Sequence, residues 1–256
     1  MIDTKYFKEY RERLGFNNQD SAKKFFGAKD ILPAVDYGYI EVLNTRLSEI
    51  IGRINSIAHE ELKISNTESF VNENIRRVFQ ELKKNNIIQK LNNQGRRPEE
   101  VYFSWMRGFV VSSYFLSSIS KIFGVALLDV NLIGDDDFKN LETFKRTPKA
   151  DLEIKLTNNE KIRVEVQSGF QGVNDIKQHK VLEARKIKRE LGLSSLVMHF
   201  DLFNGQVAFV KIDKIKDDDI SWITRQQMEG QTVFNIDQNY FAWKLTELPP
   251  KISEIL

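Results

Sequence analysis

The sequence predicts an α+β fold: an all-helical N-terminal region followed by a mixed-sheet core of helix, three strands, helix and strand. Three observations carry this. Apolar residues recur at helical spacing through roughly the first hundred positions. After the breaker-rich stretch Asn92-Asn93-Gln94-Gly95-Arg96-Arg97-Pro98, short segments of strict apolar/polar alternation appear. A long basic helical stretch then separates these strands from a further pair of apolar runs.

Taken in order, Tyr6–Leu14 and Asp20–Phe26 are short helices interrupted by Gly15 and Gly27. Val42, Leu43, Leu47, Ile50, Ile51, Ile54 and Ile57 form the apolar stripe of a long helix from Tyr39 to Ile64. Ser65-Asn66-Thr67 offers caps for a next helix, Glu68–Leu91. Pro98-Glu99-Glu100 opens a helix that is apolar nearly all round, runs to Ile122 and is ended by Gly124. Val125–Ile133 reads as a strand and Gly134–Lys149 as a polar loop. Asp151–Thr157 and Lys161–Gln167 alternate as two strands of a hairpin around Asn158-Asn159-Glu160. Ser168–Val173 is a loop, and Asn174–Leu191 a basic helix ended by Gly192. Leu196–Phe200 and Val207–Ile212 are strands joined through Asn204-Gly205. The expected division is therefore 1–97 (helical), 98–212 (core) and 213–256 (extension).

Composition narrows the chemistry. The 256 residues are 41% hydrophobic and 29% charged, an ordinary globular balance. There is no cysteine, which excludes disulfides, thiolate metal sites and cysteine nucleophiles. Only three histidines are present (His59, His179, His199), so any metal is expected on oxygen ligands, as for Mg²⁺, Mn²⁺ or Ca²⁺. A net charge of +2 makes no argument for or against nucleic acid. The first residues do not resemble a signal peptide and no apolar run reaches membrane-spanning length, so a cytoplasmic protein without a membrane partner is expected.

The hairpin carries the chemistry. Leu152, Ile154 and Leu156 alternate with Asp151, Glu153 and Lys155, and Ile162, Val164 and Val166 alternate with Arg163, Glu165 and Gln167. A three-residue loop at Asn158–Glu160 pairs Leu156 with Ile162, Ile154 with Val164 and Leu152 with Val166, keeping one face apolar. That register gathers Asp151, Glu153, Glu165 and Gln167 on the other face, with Glu153 opposite Glu165 and Asp151 diagonal to Glu165. An acidic cluster of this kind repels itself, and a divalent cation relieves the repulsion. A cation so held stabilises phosphoryl charge and acidifies water, the chemistry of phosphodiester hydrolysis.

Pro148-x-x-Asp151 followed, after thirteen residues, by Glu165-x-Gln167 resembles the PD-(D/E)xK nuclease motif. Gln167 stands where that superfamily usually has lysine, and some of its restriction endonucleases are similar in carrying E-x-Q. The resemblance covers somewhat under half the chain. It implies a restriction-endonuclease-like core and a Mg²⁺-dependent type II enzyme that cuts double-stranded DNA as a homodimer, leaves a 5′-phosphate and works beside a cognate methyltransferase. It implies Asp151, Glu165 and the Val166 carbonyl as metal ligands, with Gln167 orienting the attacking water. Lys177 and Lys180, one turn apart on the following helix, would bring positive charge to the phosphate, and Glu99 or Glu100 would add a ligand. Lys145, Arg146 and Lys149, just before Asp151, would contact the DNA backbone.

Plainer readings compete. The hairpin acids with Lys155 and Arg163 make surface ion pairs, and the basic helix makes a solvated face. His179 reads as a surface histidine, and Asp135–Asp137 and Asp217–Asp219 as loops or caps. The other functional classes are a repair or recombination nuclease, a catalytically silent DNA-binding module, and an interaction protein without a nucleic-acid role.

Overall fold

A computed structural model describes residues 4–91, 96–134, 150–225 and 230–255. It is a mixed α+β structure with a helical N-terminal region and a mixed sheet. Pro148 and the expected DNA contacts Lys145, Arg146 and Lys149 lie outside the described residues, as do Asp135–Asp137.

The N-terminal helices are α1 (Thr4–Arg13), α2 (Gln19–Phe26) and α3 (Tyr37–Ile57). The side chains of Asn18 and Asp36 cap α2 and α3, accepting from the amides of Ser21 and Tyr39 at 2.8 and 2.9 Å. The long helix stops at Ile57 instead of Ile64. There the main chain turns away, His59 N–H donates to the Leu245 carbonyl, and the Asn55 amide brackets Ile64 through both its N–H and its carbonyl. The expected helix Glu68–Leu91 is also divided. It consists of α4 (Thr67–Val71), a π turn (Asn72–Arg76) and α5 (Arg77–Lys84), with a short 3₁₀ turn at Ile88–Lys90. Asn86 ends it with φ +52°, a backbone conformation asparagine tolerates better than most residues.

Helix α6 (Pro98–Phe123) matches its expectation at both ends. Pro98 needs no amide partner in the first turn, and Gly124 takes φ +64° as the left-handed cap. Of the expected strand Val125–Ile133 only β1 (Val130–Leu132) is extended, because Leu127–Asp129 close a 3₁₀ turn. Then follow β2 (Leu152–Lys155), β3 (Lys161–Gly169), β4 (Asp175–Lys177), α7 (Gln178–Leu191), β5 (Ser194–Asp201) and β6 (Gln206–Lys211). After these come β7 (Ile223–Arg225), β8 (Gln231–Asn235), β9 (Phe241–Lys244) and a terminal turn of helix, α8 (Ile252–Ile255).

Among the described residues six strands make the central sheet, in the order β1-β2-β3-β5-β6-β9. Of these only β3 and β5 run parallel, with α7 in the crossover between them, which makes the sheet mixed. Strands β4, β8 and β7 form a small second sheet beside α7. One core lies between the central sheet and α3, α5 and α6, and includes Leu152, Val164, Met198, Phe200 and Trp243. The other lies on the α7 face, with Val181, Ala184, Val197, Val210 and Phe234. The first core crosses both expected divisions, since α3 and β9 contribute to it alongside α6.

The hairpin register differs from the expectation by two residues. Leu152 pairs with Val164, Glu153 with Arg163 and Ile154 with Ile162. The loop has three residues as expected, but they are Thr157–Asn159, closed by Leu156 N–H on the Glu160 carbonyl at 2.8 Å. The third residue of such a loop takes the left-handed conformation. Asn159 sits there with φ +64°, whereas the expected loop would force Glu160 into it. A shift of two keeps every side chain on its expected face but changes its neighbours. The expected face-off of Glu153 with Glu165 is therefore corrected: Glu153 pairs with Lys161 at 2.7 Å and lies across from Arg163.

Candidate active site

Strand β3 presents Arg163, Glu165 and Gln167 to the α7 side, opposite the apolar Val164 and Val166. Extending the observed register one residue beyond Leu152 sets Asp151 across from Glu165. Strand β2 has ended by then, and the Asp151 side chain replaces its backbone in the ladder: Val166 N–H donates to Asp151 Oδ2 at 2.7 Å. Ile133 N–H bonds the Asp151 carbonyl at 3.0 Å, so the residue is fixed from both neighbouring strands.

Lys180 on α7 completes the arrangement. Its ammonium lies 2.9 Å from Glu165 with both side chains mostly buried, 18% and 12% exposed. Burial is the largest single influence on Lys180 and lowers its pKa. The charge and hydrogen bond of Glu165, with Asp151 and Glu183 adding, outweigh it and hold the pKa above the ordinary lysine value. Thus the cation senses both carboxylates. Glu165, Lys180 and Glu183 line one recess with Ala150, Arg163 and Ser195. Asp151 borders a different recess, under α6, with Ser112, Ser113 and Gly134.

Other expected residues fall elsewhere. The basic helix begins at Gln178, so Lys177 ends β4 instead of sitting one turn before Lys180 on a common helix. Its neighbour Ile176 pairs with Phe234 of β8, a long-range partner that draws Asp175–Lys177 into a strand. Glu99 is fully buried and accepts the Asp36 amide at 2.6 Å, fastening the entry of α3 to α6. Ser112, thirteen residues further along α6, borders the Asp151 recess, which places Glu99 about 20 Å away along the helix. Glu100 faces outward beside Arg96. Neither acid can serve as the extra ligand. Asp217 accepts from Arg185 and Trp222, and His179 is exposed.

Gln167 has a neighbour the sequence did not single out. In the parallel pair it lies beside His199 of β5, whose Nδ1 is 3.5 Å from the Gln167 amide oxygen. His199 Nε2 is 2.8 Å from Asn174 Oδ1, and Asn174 Nδ2 donates to the fully buried Asp201. Burial, the leading influence, pushes the His199 pKa down to about 4 despite Asp201 and Asp175. In the sequence His199 sits inside an apolar run and has no distinguishing spacing.

Among the described residues no three acidic or histidine side chains converge as a metal cluster. The donor set at the β2–β3 junction is two carboxylates, Asp151 and Glu165, with the Val166 carbonyl one residue further along. These are hard oxygen donors, which suit Mg²⁺ because that ion keeps several waters and takes only one or two carboxylates. Among the described residues no helix is long and apolar enough to cross a membrane. Comparison with family models, curated proteins and solved structures returns no match for this chain.

Proposed function

We propose that this chain is a Mg²⁺-dependent endonuclease of the PD-(D/E)xK kind that hydrolyses double-stranded DNA as a type II restriction enzyme. One observation carries the reading: Asp151, just before β2, lies across from Glu165 of β3, and the largely buried Lys180 of α7 pairs with Glu165 and feels the charge of Asp151. These are two hard donors beside a fixed positive charge, in an order of helix α6, the central-sheet strands β1 to β3, the short strand β4, helix α7 and strand β5.

Asp151, Glu165 and the Val166 carbonyl would hold the ion. When bound, Mg²⁺ supplies charge stabilisation at a phosphoryl oxygen and acidifies a water molecule. The protein's own groups do the rest. Lys180 would take the place of the motif's missing lysine from a different element, its ammonium beside Glu165 donating to a phosphate oxygen or to the attacking water. Gln167 has no group that titrates at working pH, so its amide would orient water and not deprotonate it. Homodimerisation on a twofold-symmetric site and a partner methyltransferase belong to the same proposal.

The test is digestion of supercoiled plasmid with and without Mg²⁺. Discrete linear fragments that require Mg²⁺ and vanish in Glu165→Gln support the reading, and an intact plasmid under all conditions overturns it. A second reading has its own observation: protein groups satisfy both carboxylates, Glu165 through Lys180 and Asp151 through the Val166 amide. That favours a DNA-binding module without catalysis. It would show salt-dependent DNA affinity, unaltered by Mg²⁺, and no cleavage.

A further inference from the structure

The polar chain behind Gln167 permits its protons to be counted from one end. Asp201 accepts from Asn174 Nδ2 at 3.1 Å, Asn204 Nδ2 at 2.7 Å and Gln206 Nε2 at 3.2 Å. Main-chain N–H groups of Phe203 and Asn204 add two more bonds at 3.2 Å. Burial opposes its charge, but the bonds from Asn204, Asn174 and Gln206 hold its carboxyl below the ordinary range, so it is an acceptor only. Asn174 must therefore aim its NH₂ at Asp201 and its oxygen at His199. An oxygen 2.8 Å from His199 Nε2 requires a proton on that nitrogen. Buried and neutral, His199 has no second proton, so Nδ1 is a bare lone pair facing Gln167. Two acceptors, Nδ1 and the Gln167 oxygen, would face each other across 3.5 Å, and a half-turn of the amide replaces this repulsion with an N–H···N bond.

We infer that His199 is a positioning residue: fixed by Asn174 as its Nε2–H tautomer, it accepts from the Gln167 amide and leaves the Gln167 oxygen as the acceptor facing away from the ring. Gln167 shares its sheet face with Glu165 two residues earlier, so the freed oxygen is the group that can orient water there. This catalytic consequence rests on the nuclease reading, whereas the tautomer and the amide orientation do not. The packing is specific to the arrangement: a Cβ at Gly169 would come within 3.0 Å of both Asn174 Oδ1 and His199 Nε2. A side chain there would press on both partners of the bond that sets the tautomer.

The first experiment is long-range ¹H–¹⁵N correlation of the imidazole in the intact wild-type protein at neutral pH, with NOE contacts to the Gln167 carboxamide. The expected result is a neutral ring protonated at Nε2, with the Gln167 NH₂ protons in contact with it. A proton on Nδ1, or carboxamide protons remote from the ring, overturns the inference whether or not the protein cleaves DNA. The second experiment separates two variants. His199→Gln keeps a donor near Nε2 but loses the Nδ1 acceptor, and should lower kcat about tenfold with KM unchanged. His199→Asn places an acceptor where Nδ1 was and should restore most of that loss. Equal losses in both variants overturn the positioning role. If the wild type does not cleave at all, the nuclease reading falls and the spectroscopic result alone decides the tautomer.

Discussion

The two faces of β3 and β5 are made from alternating residues of the same strands, yet they are held by different physics. Toward α6, Val164, Val166, Leu196, Met198 and Phe200 pack into one continuous apolar core, and Phe115 stacks on Phe200 at 4.2 Å between ring centres. Toward α7, Glu165, Gln167 and His199 take the alternate positions beside the buried Val197, and each of the three meets a specific polar partner: Lys180, His199 and Asn174. The apolar face stabilises by area, about 1.5–3 kcal/mol for each fully buried aliphatic side chain. The polar face is costly to bury and persists because its partners are in place, an expense that structure alone does not require. The comparison teaches that stability and chemistry are assigned to opposite sides of one strand and should respond separately to substitution.

The sharpest way to break that separation is Glu165→Gln. Mg²⁺-dependent plasmid cleavage should fall by more than about a hundredfold, since a metal ligand and the Lys180 counter-charge are both lost. Salt-dependent DNA binding should persist. Cleavage near the wild-type rate would remove Glu165 from the site.

Next comes the other face. Phe115→Ala should lower the unfolding free energy by about 3–5 kcal/mol, because the ring leaves a cavity against Phe200. Chemical denaturation measures this, and cleavage per folded molecule should not change. If cleavage per folded molecule falls as well, the two sides are coupled through the sheet and the division fails.

A third prediction concerns pH. Folded His199 takes its proton only near 4, while in the unfolded chain it does so near 6.5. Between those values the unfolded state holds more protons, so the stabilisation is complete above pH 6.5 and lost as pH falls toward 4. The loss is about 3 kcal/mol. His199→Gln should flatten this acid slope in urea melts, and an unchanged slope would mean the imidazole is not held neutral.

The smallest effect expected is that of Glu153→Gln. Glu153 meets Lys161 near the surface, so its removal should change stability by less than about 1 kcal/mol. Cleavage should be unaffected. A large loss of cleavage would instead favour the register that sets Glu153 against Glu165.

Part of this was legible from neighbouring residues alone. Pro98 and Gly124 bound α6, Gly192 ends α7, and strict alternation assigns Glu165 and Gln167 to one face of β3, because caps and strand period are local properties. Even the register was within reach, since Asn159 suits a left-handed loop position and Glu160 does not. Tertiary structure decided the rest. Lys180 reaches Glu165 only because α7 crosses over the sheet, His199 reaches Gln167 only because β5 lies parallel to β3, and Asp175–Lys177 become a strand only because β8 lies alongside. Those partners are brought together by burying two cores across many residues of chain, a free energy summed over the whole molecule that no single segment contains.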